Sequence, residues 1–510
     1  MANSDIDRRR ALSLAGIALI GSDTVADAQN PPPPTASTRS GLDDGTGEKR
    51  RLPPTATTRH TLELPGRTLH FEATAGAILL TDDKHVPEVE LAFVAFQLDT
   101  ADRAHRPVTF AFNGGPGFAS GWLNVCAVGP WRIATDGAAA VPSTSAEPIP
   151  NPETWLDFTD LVFIDPAGTG YSRVLSGNSD VRRRVWSVAG DIDYLAEAVR
   201  RWLDRFDRNA SPKYLLGESY GGFRAPRLAR ELAEQQGTGV SGLVLVSPAL
   251  DFGGHSGAFS PFAYVARLPS MAAAARAAKG GVTRADLADV ERYAATEFLL
   301  DVVRGERDPE AITRRCTRVA EFTGLDPAVV QRYHGLIEPE VFLHEFDRKH
   351  GRVGSMYDAT ITSADPFPLS PLGDYPDPVL DALKAPVSSA MVAICETRLN
   401  WRPDSAYQLG NAEVSGHWDW GRRIWSPPQS VEAMRTALAL DRGLSILITH
   451  GLFDLVTPYL GTQFLLDQIP AAGIGDRIHF TVYPGGHMYY TSDASRAALR
   501  DDAARLFAER

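Results

Sequence analysis

Cysteine is scarce in this chain. Only Cys126, Cys316 and Cys395 occur in 510 residues, so at most one intramolecular disulfide can form and no disulfide framework holds the fold. Their spacing matches no zinc site, and none has the neighbours that a thiolate nucleophile needs, which leaves buried structural cysteine as the reading of all three. Positive charge is also in deficit. Lys and Arg number 51 against 63 Asp and Glu, a formal net charge of -12, and without a basic stripe to neutralise phosphates nucleic acid is not expected as a partner. Long apolar runs are missing too: the early run Ala11 to Gly21 is far short of the roughly 20 residues of a membrane-spanning helix, so no membrane partner is expected. No His-Glu-x-x-His pattern and no dinucleotide glycine fingerprint with its acidic residue is present. The expectation is therefore no metal and no cofactor.

What the chain does have is an ordinary globular composition, 44% hydrophobic and 22% charged, with the length for one large core and a substantial insertion. Its beginning reads as an export signal: Arg8-Arg9-Arg10, the short apolar run, then Ala26-Asp27-Ala28 as a small-residue cleavage site. A plain basic signal and the twin-arginine form, which exports folded proteins, both fit these residues. Pro31 to Pro34 and a Ser/Thr/Gly/Asp-rich stretch follow, a composition that buries too little apolar area to order itself. The implied location is exported, periplasmic or secreted.

Short β-prone segments around Thr68 to Phe71, Ala77 to Leu80 and Val89 to Leu98 predict an antiparallel start to a sheet. Further strands are predicted at Pro107 to Phe112, Leu161 to Ile164, Tyr214 to Leu216, Leu243 to Val246, Ser445 to Thr449 and Ile478 to Val482, with helical patterns at Val185 to Phe206 and Phe223 to Gln235 between some of them. Apolar strands alternating with amphipathic helices mean a mostly parallel sheet covered on both faces, an α/β fold. The gap between the fourth and fifth of these strands is too long for a loop, and its helical stretches, about Ser270 to Lys279 and Arg284 to Gln331, predict a helical cap over the site. The chain thus divides into a signal peptide (1–28), a linker (29–59), a first core part (60–254), a cap insertion (255–385) and a second core part (386–510).

The strongest chemical feature is Gly217-Glu218-Ser219-Tyr220-Gly221-Gly222, which follows the apolar Tyr214-Leu215-Leu216 and precedes a helical pattern. This is the setting of a nucleophile elbow, in which small glycines allow a cramped strand-to-helix turn that presents the serine hydroxyl. Such a hydroxyl needs a base, and the base needs a carboxylate to hold its tautomer. Asp454 and His487 each stand just past a predicted strand, in the order Ser, Asp, His. His450 is the nearest rival base, but it precedes the acid and reads as a structural residue at a strand end. For the oxyanion, the donors are expected at Tyr220, after the nucleophile, and at Gly115 in Asn113-Gly114-Gly115-Pro116-Gly117, at the carboxyl end of a strand.

Those stretches, with Asp165-Pro166-Ala167-Gly168-Thr169-Gly170-Tyr171-Ser172 and Gly486-His487-Met488, resemble the serine carboxypeptidase family from about residue 60 to the C-terminus, as an exported, bacterial-type member. The resemblance implies an α/β-hydrolase fold, catalytic Ser219, Asp454 and His487, oxyanion donors Gly115 and Tyr220, and release of a C-terminal residue from a peptide through an acyl-enzyme. It also implies substrate binding by Asn113, Gly114 and Glu218. A glutamate beside the nucleophile holds a substrate carboxylate only if one of the two keeps a proton, so acidic pH should favour peptidase action. Two departures stand out. The family's second carboxylate-holding glutamate is matched by Ala127, and a cysteine that familiar members carry is matched by Phe118. The stretch Asp165 to Ser172 lacks the Gly-Lys-Ser/Thr end of a nucleotide loop. Two other functions stay open: an esterase, deamidase or acyltransferase using the same triad, and a non-catalytic binding protein on a hydrolase scaffold, which loss of a triad member would favour. The protein is expected to act as a monomer or simple homo-oligomer.

Overall fold

In the computed structural model, the described residues are 51–135, 143, 147–253, 260–370, 375–421, 427–470 and 473–509. The signal peptide and most of the expected linker lie outside them. Nine strands form the main path of one sheet: β1 (Ala56–Leu64), β2 (Arg67–Thr81), β3 (Pro87–Leu98), β4 (Val108–Phe112), β5 (Asp160–Ile164), β6 (Lys213–Glu218), β7 (Gly242–Val246), β8 (Ser445–Gly451) and β9 (Ile478–Tyr483). Their spatial order is β1-β2-β3-β5-β4-β6-β7-β8-β9. The pairings from β1 to β5 on that path are antiparallel, and every pairing from β5 through β4 to β9 is parallel. This is the α/β-hydrolase arrangement expected, with an antiparallel start.

The central parallel strands β4, β5 and β7 are fully buried because both faces are covered. In β3, β5 and β7 alternate side chains enter two separate cores: Val94, Leu161 and Val244 on one face, Phe93, Val162 and Leu243 on the other. Helices α1 (Val188–Arg205) and α2 (Tyr220–Gln235) bury Leu195, Trp202 and Phe223 against the second face. The expected helix from Val185 is two helices, because a bend at Trp186–Ser187 separates Ser179–Val185 from α1. The Ser187 hydroxyl then caps α1 by accepting from Gly190 N at 3.0 Å.

The insertion contributes α3 (Pro261–Ala277), α4 (Pro309–Thr323), several shorter helices and a small hairpin of Arg352–Gly354 with Thr362–Ala364. Its apolar cluster, with Met271, Phe298 and Phe342, runs into Leu452, Phe453 and Leu455 after β8. The insertion is therefore seated on the loop that follows β8.

Three expected boundaries shift. The linker does not run to residue 59: β1 begins at Ala56, and Leu52 is already buried, its N–H donating to Glu90 at 3.0 Å. Residues 68–71 and 77–80 belong to the single strand β2; Gly76 reads as punctuation in sequence, but a Cβ there would stand 2.5 Å from Thr55 Oγ1, so it serves close packing. The division at 385/386 cuts α5 (Leu380–Ala393), whose Leu383, Val387 and Met391 lie in the first core of the sheet. That helix belongs with the second core part.

Candidate active site

The strand order reverses at β4: the chain goes from β4 outward to β5, then returns across it to β6. Ligand crevices of open α/β sheets lie at the carboxyl ends of strands at such a point. The Asn113–Gly117 loop leaves β4 here, and Ser219 follows β6.

Ser219 holds φ 58° and ψ −121° between the last residue of β6 and the first of α2. A non-glycine residue there is strained and persists only where its surroundings over-determine it. They do so here: Ser219 N donates to Val246 O at 2.9 Å, and its own carbonyl accepts from Gly222 N at 2.9 Å and Ala249 N at 3.1 Å. The flanking glycines are required by close approach, since a Cβ at Gly217 would lie 2.0 Å from Gly221 O and one at Gly221 would lie 2.4 Å from Phe112 O. Gly114 is equally constrained, its missing Cβ falling 2.5 Å from Tyr220 N. The glycine loop is thereby laid directly against the first amide of α2.

Asp454 and His487 meet as expected. His487 Nδ1 lies 2.8 Å from Asp454 Oδ2, and both side chains are buried. Asp454 Oδ1 accepts from Val456 N at 2.8 Å and Thr457 N at 3.0 Å. Burial alone disfavours a charged His487, but the adjacent Asp454 charge and hydrogen bond, helped by Glu218, outweigh it and raise its pKa. His450 is no rival. It is fully buried in β8 with Nδ1 3.0 Å from Thr457 O, and burial, against the pull of Asp454, lowers its pKa to about 4.

Ser219 and His487 line one cleft of about 350 Å³ with Asn113, Gly114, Gly115 and Glu218. Phe118, Trp122, Tyr357, Leu380 and Met488 complete its walls. A second cavity, bordered by Ala249, Arg267 and Thr457, does not reach the nucleophile, and the chemistry is assigned to the cleft that does. Glu218 sits at its floor, accepting from Tyr490 OH at 2.8 Å and, through its other oxygen, from Asn113 Nδ2. Burial pushes its pKa up to about 7; the nearby His487 and the Tyr490 hydrogen bond oppose the rise and the Asp454 charge adds to it. Asn113 Oδ1 accepts from Leu123 N at 3.0 Å. Its carbonyl accepts from Arg224 Nη1 at 2.6 Å, and Arg224 is paired in the interior with Asp191 at 2.7 Å.

Residues 65–350 match the family model described as serine carboxypeptidase. The chain belongs to that family. Among its relatives, a carboxypeptidase Y homolog of Arthroderma benhamiae is 31% identical over 153 residues, 29% of this chain and 27% of that protein. A pheromone-processing carboxypeptidase, kex1, of Schizosaccharomyces pombe is 28% identical over 158 residues, 31% of this chain and 28% of that protein. The matched stretches thus span less than a third of either relative's length. Both are fungal, so neither supports the expected bacterial type. The crystal structure of Kex1Δp, a prohormone-processing carboxypeptidase from Saccharomyces cerevisiae, superposes with a TM-score of 0.55 at 16% identity, covering 85% of this chain and 92% of that one. The fold is shared with it.

Ala127, at the place of the family's second glutamate, is fully buried and does not line the cleft; its carbonyl accepts from Asn151 Nδ2 at 3.0 Å. The Asp165 to Ser172 stretch is structural: Asp165 accepts from Ser120 N at 3.0 Å, and Ser172 Oγ donates to Asp165 O at 2.6 Å. Cys126, Cys316 and Cys395 are buried free thiols, and burial raises the pKa of each. Among the described residues no group of three or more His, Cys, Asp or Glu is arranged to hold a metal, and no helix is long and apolar enough to cross a membrane. Four contributors had no signal in the sequence: Tyr490, Arg224, Tyr357, and Thr457, whose Oγ1 lies 2.8 Å from Asp454 Oδ2 and 3.1 Å from His487 Nδ1.

Proposed function

We infer that this protein is a serine-type carboxypeptidase, releasing C-terminal residues from peptides through an acyl-enzyme. The observation that carries the reading is the single cleft in which Ser219 and His487 face the buried Asn113 and Glu218, an acyl-transfer apparatus beside a group suited to a carboxylate. Ser219 Oγ attacks the scissile carbonyl while His487 takes its proton, and Asp454 holds the imidazole tautomer and steadies its charge. The N–H groups of Gly115 and Tyr220 receive the developing oxyanion. His487 then returns the proton to the departing amine, and a water repeats the sequence to free the acid. Glu218, with a pKa of about 7, keeps a proton in mildly acidic solution and donates it in a hydrogen bond to the substrate carboxylate, with Asn113 and Gly114 beside it. Arg8-Arg9-Arg10 and the apolar run after it support export to a periplasm or the medium, of plain or twin-arginine type.

Ala127 favours a second reading, an esterase, deamidase or acyltransferase with the same triad, because it supplies no second carboxyl to the substrate. Both readings are tested by blocked dipeptides with free or amidated C-termini, given to wild type and Ser219→Ala across pH 4 to 8. Removing the serine should cost on the order of 10⁶ in turnover. Release of the terminal residue from the free acid by wild type alone supports the carboxypeptidase. Preference for esters or amides leaves the triad and removes the carboxypeptidase assignment.

A further inference from the structure

The side chains that wall the catalytic cleft, Phe118, Trp122, Tyr357, Leu380 and Met488, all belong to the first apolar core of the sheet or pack against it. The cleft is therefore an open end of that core. Trp122 and Met488 are members of it, and Phe118, Tyr357 and Leu380 lie half-buried at its edge. Leu380 opens α5, which carries Leu383, Val387 and Met391 into the same core. The segment before Trp122 is seated on that helix, since a Cβ on Gly121 would stand 2.9 Å from Met391 Cγ. Ala127, at the place of the family's second glutamate, lies in this core as well, so that position adds hydrocarbon and no acid.

Two of these walls are tied to the groups read as holding the substrate carboxylate. Phe118 N donates to Gly114 O at 3.2 Å. Trp122 directly precedes Leu123, whose N–H donates to Asn113 Oδ1 at 3.0 Å, and the Phe118 and Trp122 rings meet edge to face with centroids 6.4 Å apart. Tyr357 instead meets the base, its ring edge-on to His487 at 5.3 Å. A peptide whose terminal carboxylate rests on Asn113 and Glu218 thus lays its last side chain along Phe118 and Trp122. Among the described residues, the ionisable groups lining the cleft are Glu218, His487 and the Tyr357 phenol. Glu218 is already engaged by Asn113 Nδ2 and Tyr490 OH, and His487 by Asp454. A terminal Lys or Arg would leave water for a wall with no free acid, and a terminal Asp or Glu would find no guanidinium or ammonium. A charge buried without a partner is strongly disfavoured, whereas an aromatic or large aliphatic side chain gains from each wall it touches.

We propose that Phe118, Trp122 and Leu380 set the specificity for the residue released, and that the substrate is a peptide ending in an aromatic or large aliphatic residue. This rests on the carboxypeptidase reading above. A single methylene in an apolar pocket discriminates by roughly 10- to 200-fold, and exchange of a whole apolar side chain for a charged one should do at least as much.

The test is kcat/KM for release of the terminal residue from blocked dipeptide free acids ending in Phe, Leu, Gly, Lys or Glu, measured on the full chain at about pH 6, where Glu218 keeps its proton. Phe and Leu should exceed Lys and Glu by about a hundredfold or more. Trp122→Ala should lower the Phe-to-Gly ratio about tenfold; if that variant does not fold, Phe118→Ala, on a half-buried side chain, takes its place with the same expectation. Leu380→Glu sets a carboxylate on the wall and should raise the Lys-to-Phe ratio about tenfold. Equal rates for Phe, Lys and Glu, a preference for the charged residues, or ratios unmoved by these substitutions overturn the proposal and leave the carboxypeptidase reading standing. No release from any free acid, while a sulfonyl fluoride still labels Ser219, removes that reading and the proposal with it.

Discussion

Replacing Glu218 by Gln should abolish a pH dependence that free-acid substrates show and amidated ones do not. Amide or ester hydrolysis needs His487 neutral, so its rate rises with pH and levels off. A free-acid substrate needs in addition a proton on Glu218. The ratio of the two rates therefore isolates Glu218, because the titration of His487 enters both and cancels. For a carboxyl titrating at about 7, the protonated fraction falls from about 0.9 at pH 6 to about 0.1 at pH 8. The ratio of kcat/KM values should drop about tenfold over that interval in wild type. In Glu218→Gln the amide is a donor at every pH, so the ratio should stay level while both substrates are still cleaved. Tyr490 OH, which donates to Glu218 at 2.8 Å, turns to accept where the new NH₂ faces it. A ratio that is flat in wild type, or that falls as steeply in Glu218→Gln, would refute a proton on Glu218 as the basis of carboxylate recognition.

Three further outcomes follow from buried groups. Thr457→Val removes the hydroxyl 2.8 Å from Asp454 Oδ2, and with it a hydrogen bond to a charged acceptor worth about 1.5–3 kcal/mol; kcat should fall about tenfold or more with KM unchanged, read by steady-state kinetics. Arg224→Met leaves Asp191 in the interior without the guanidinium 2.7 Å away and should destabilise by about 3–5 kcal/mol in urea unfolding, with Asp191→Asn in the same chain restoring part of the loss. His450 is depressed from its ordinary 6.5 to about 4, so it contributes stability that is present above pH 6.5 and lost as pH falls through 4. That contribution is about 3 kcal/mol, and His450→Asn should flatten the decline of unfolding free energy between pH 6.5 and 4.

The sheet was legible because its central strands are buried on two faces. Gly242 to Val246 is an uninterrupted apolar run for that reason, and Val108 to Phe112 is broken only by the buried Thr109. β1 escaped because it is an edge strand with exposed alternate residues, and its Thr-rich start reads like the linker before it. The elbow was legible because its glycines and serine are contiguous in the chain, and Gly217 is demanded by Gly221 within the same turn. Tyr490 was not, since its hydrogen bond to Glu218 joins residues 272 apart in sequence. Nor was Arg224, whose pattern is that of any helix residue until Asp191 and Asn113 are brought to it. Tyr357 and the helix from Leu380 lie where apolar spacing is irregular; Tyr357 is placed by its bond to the His487 loop after β9, and the helix by packing in the first core of the sheet.

The order of the strands also sets when the molecule becomes an enzyme. β4, β6 and β7 lie side by side in the sheet and precede the insertion in the chain, so the strained serine and its glycine loop belong to the part synthesised first. The base arrives only with β8 and β9, which add to the far side of β7 after the whole insertion has been made. A nascent chain displaying Ser219 is chemically mute. On the carboxypeptidase reading, topology reserves hydrolytic competence for the finished fold.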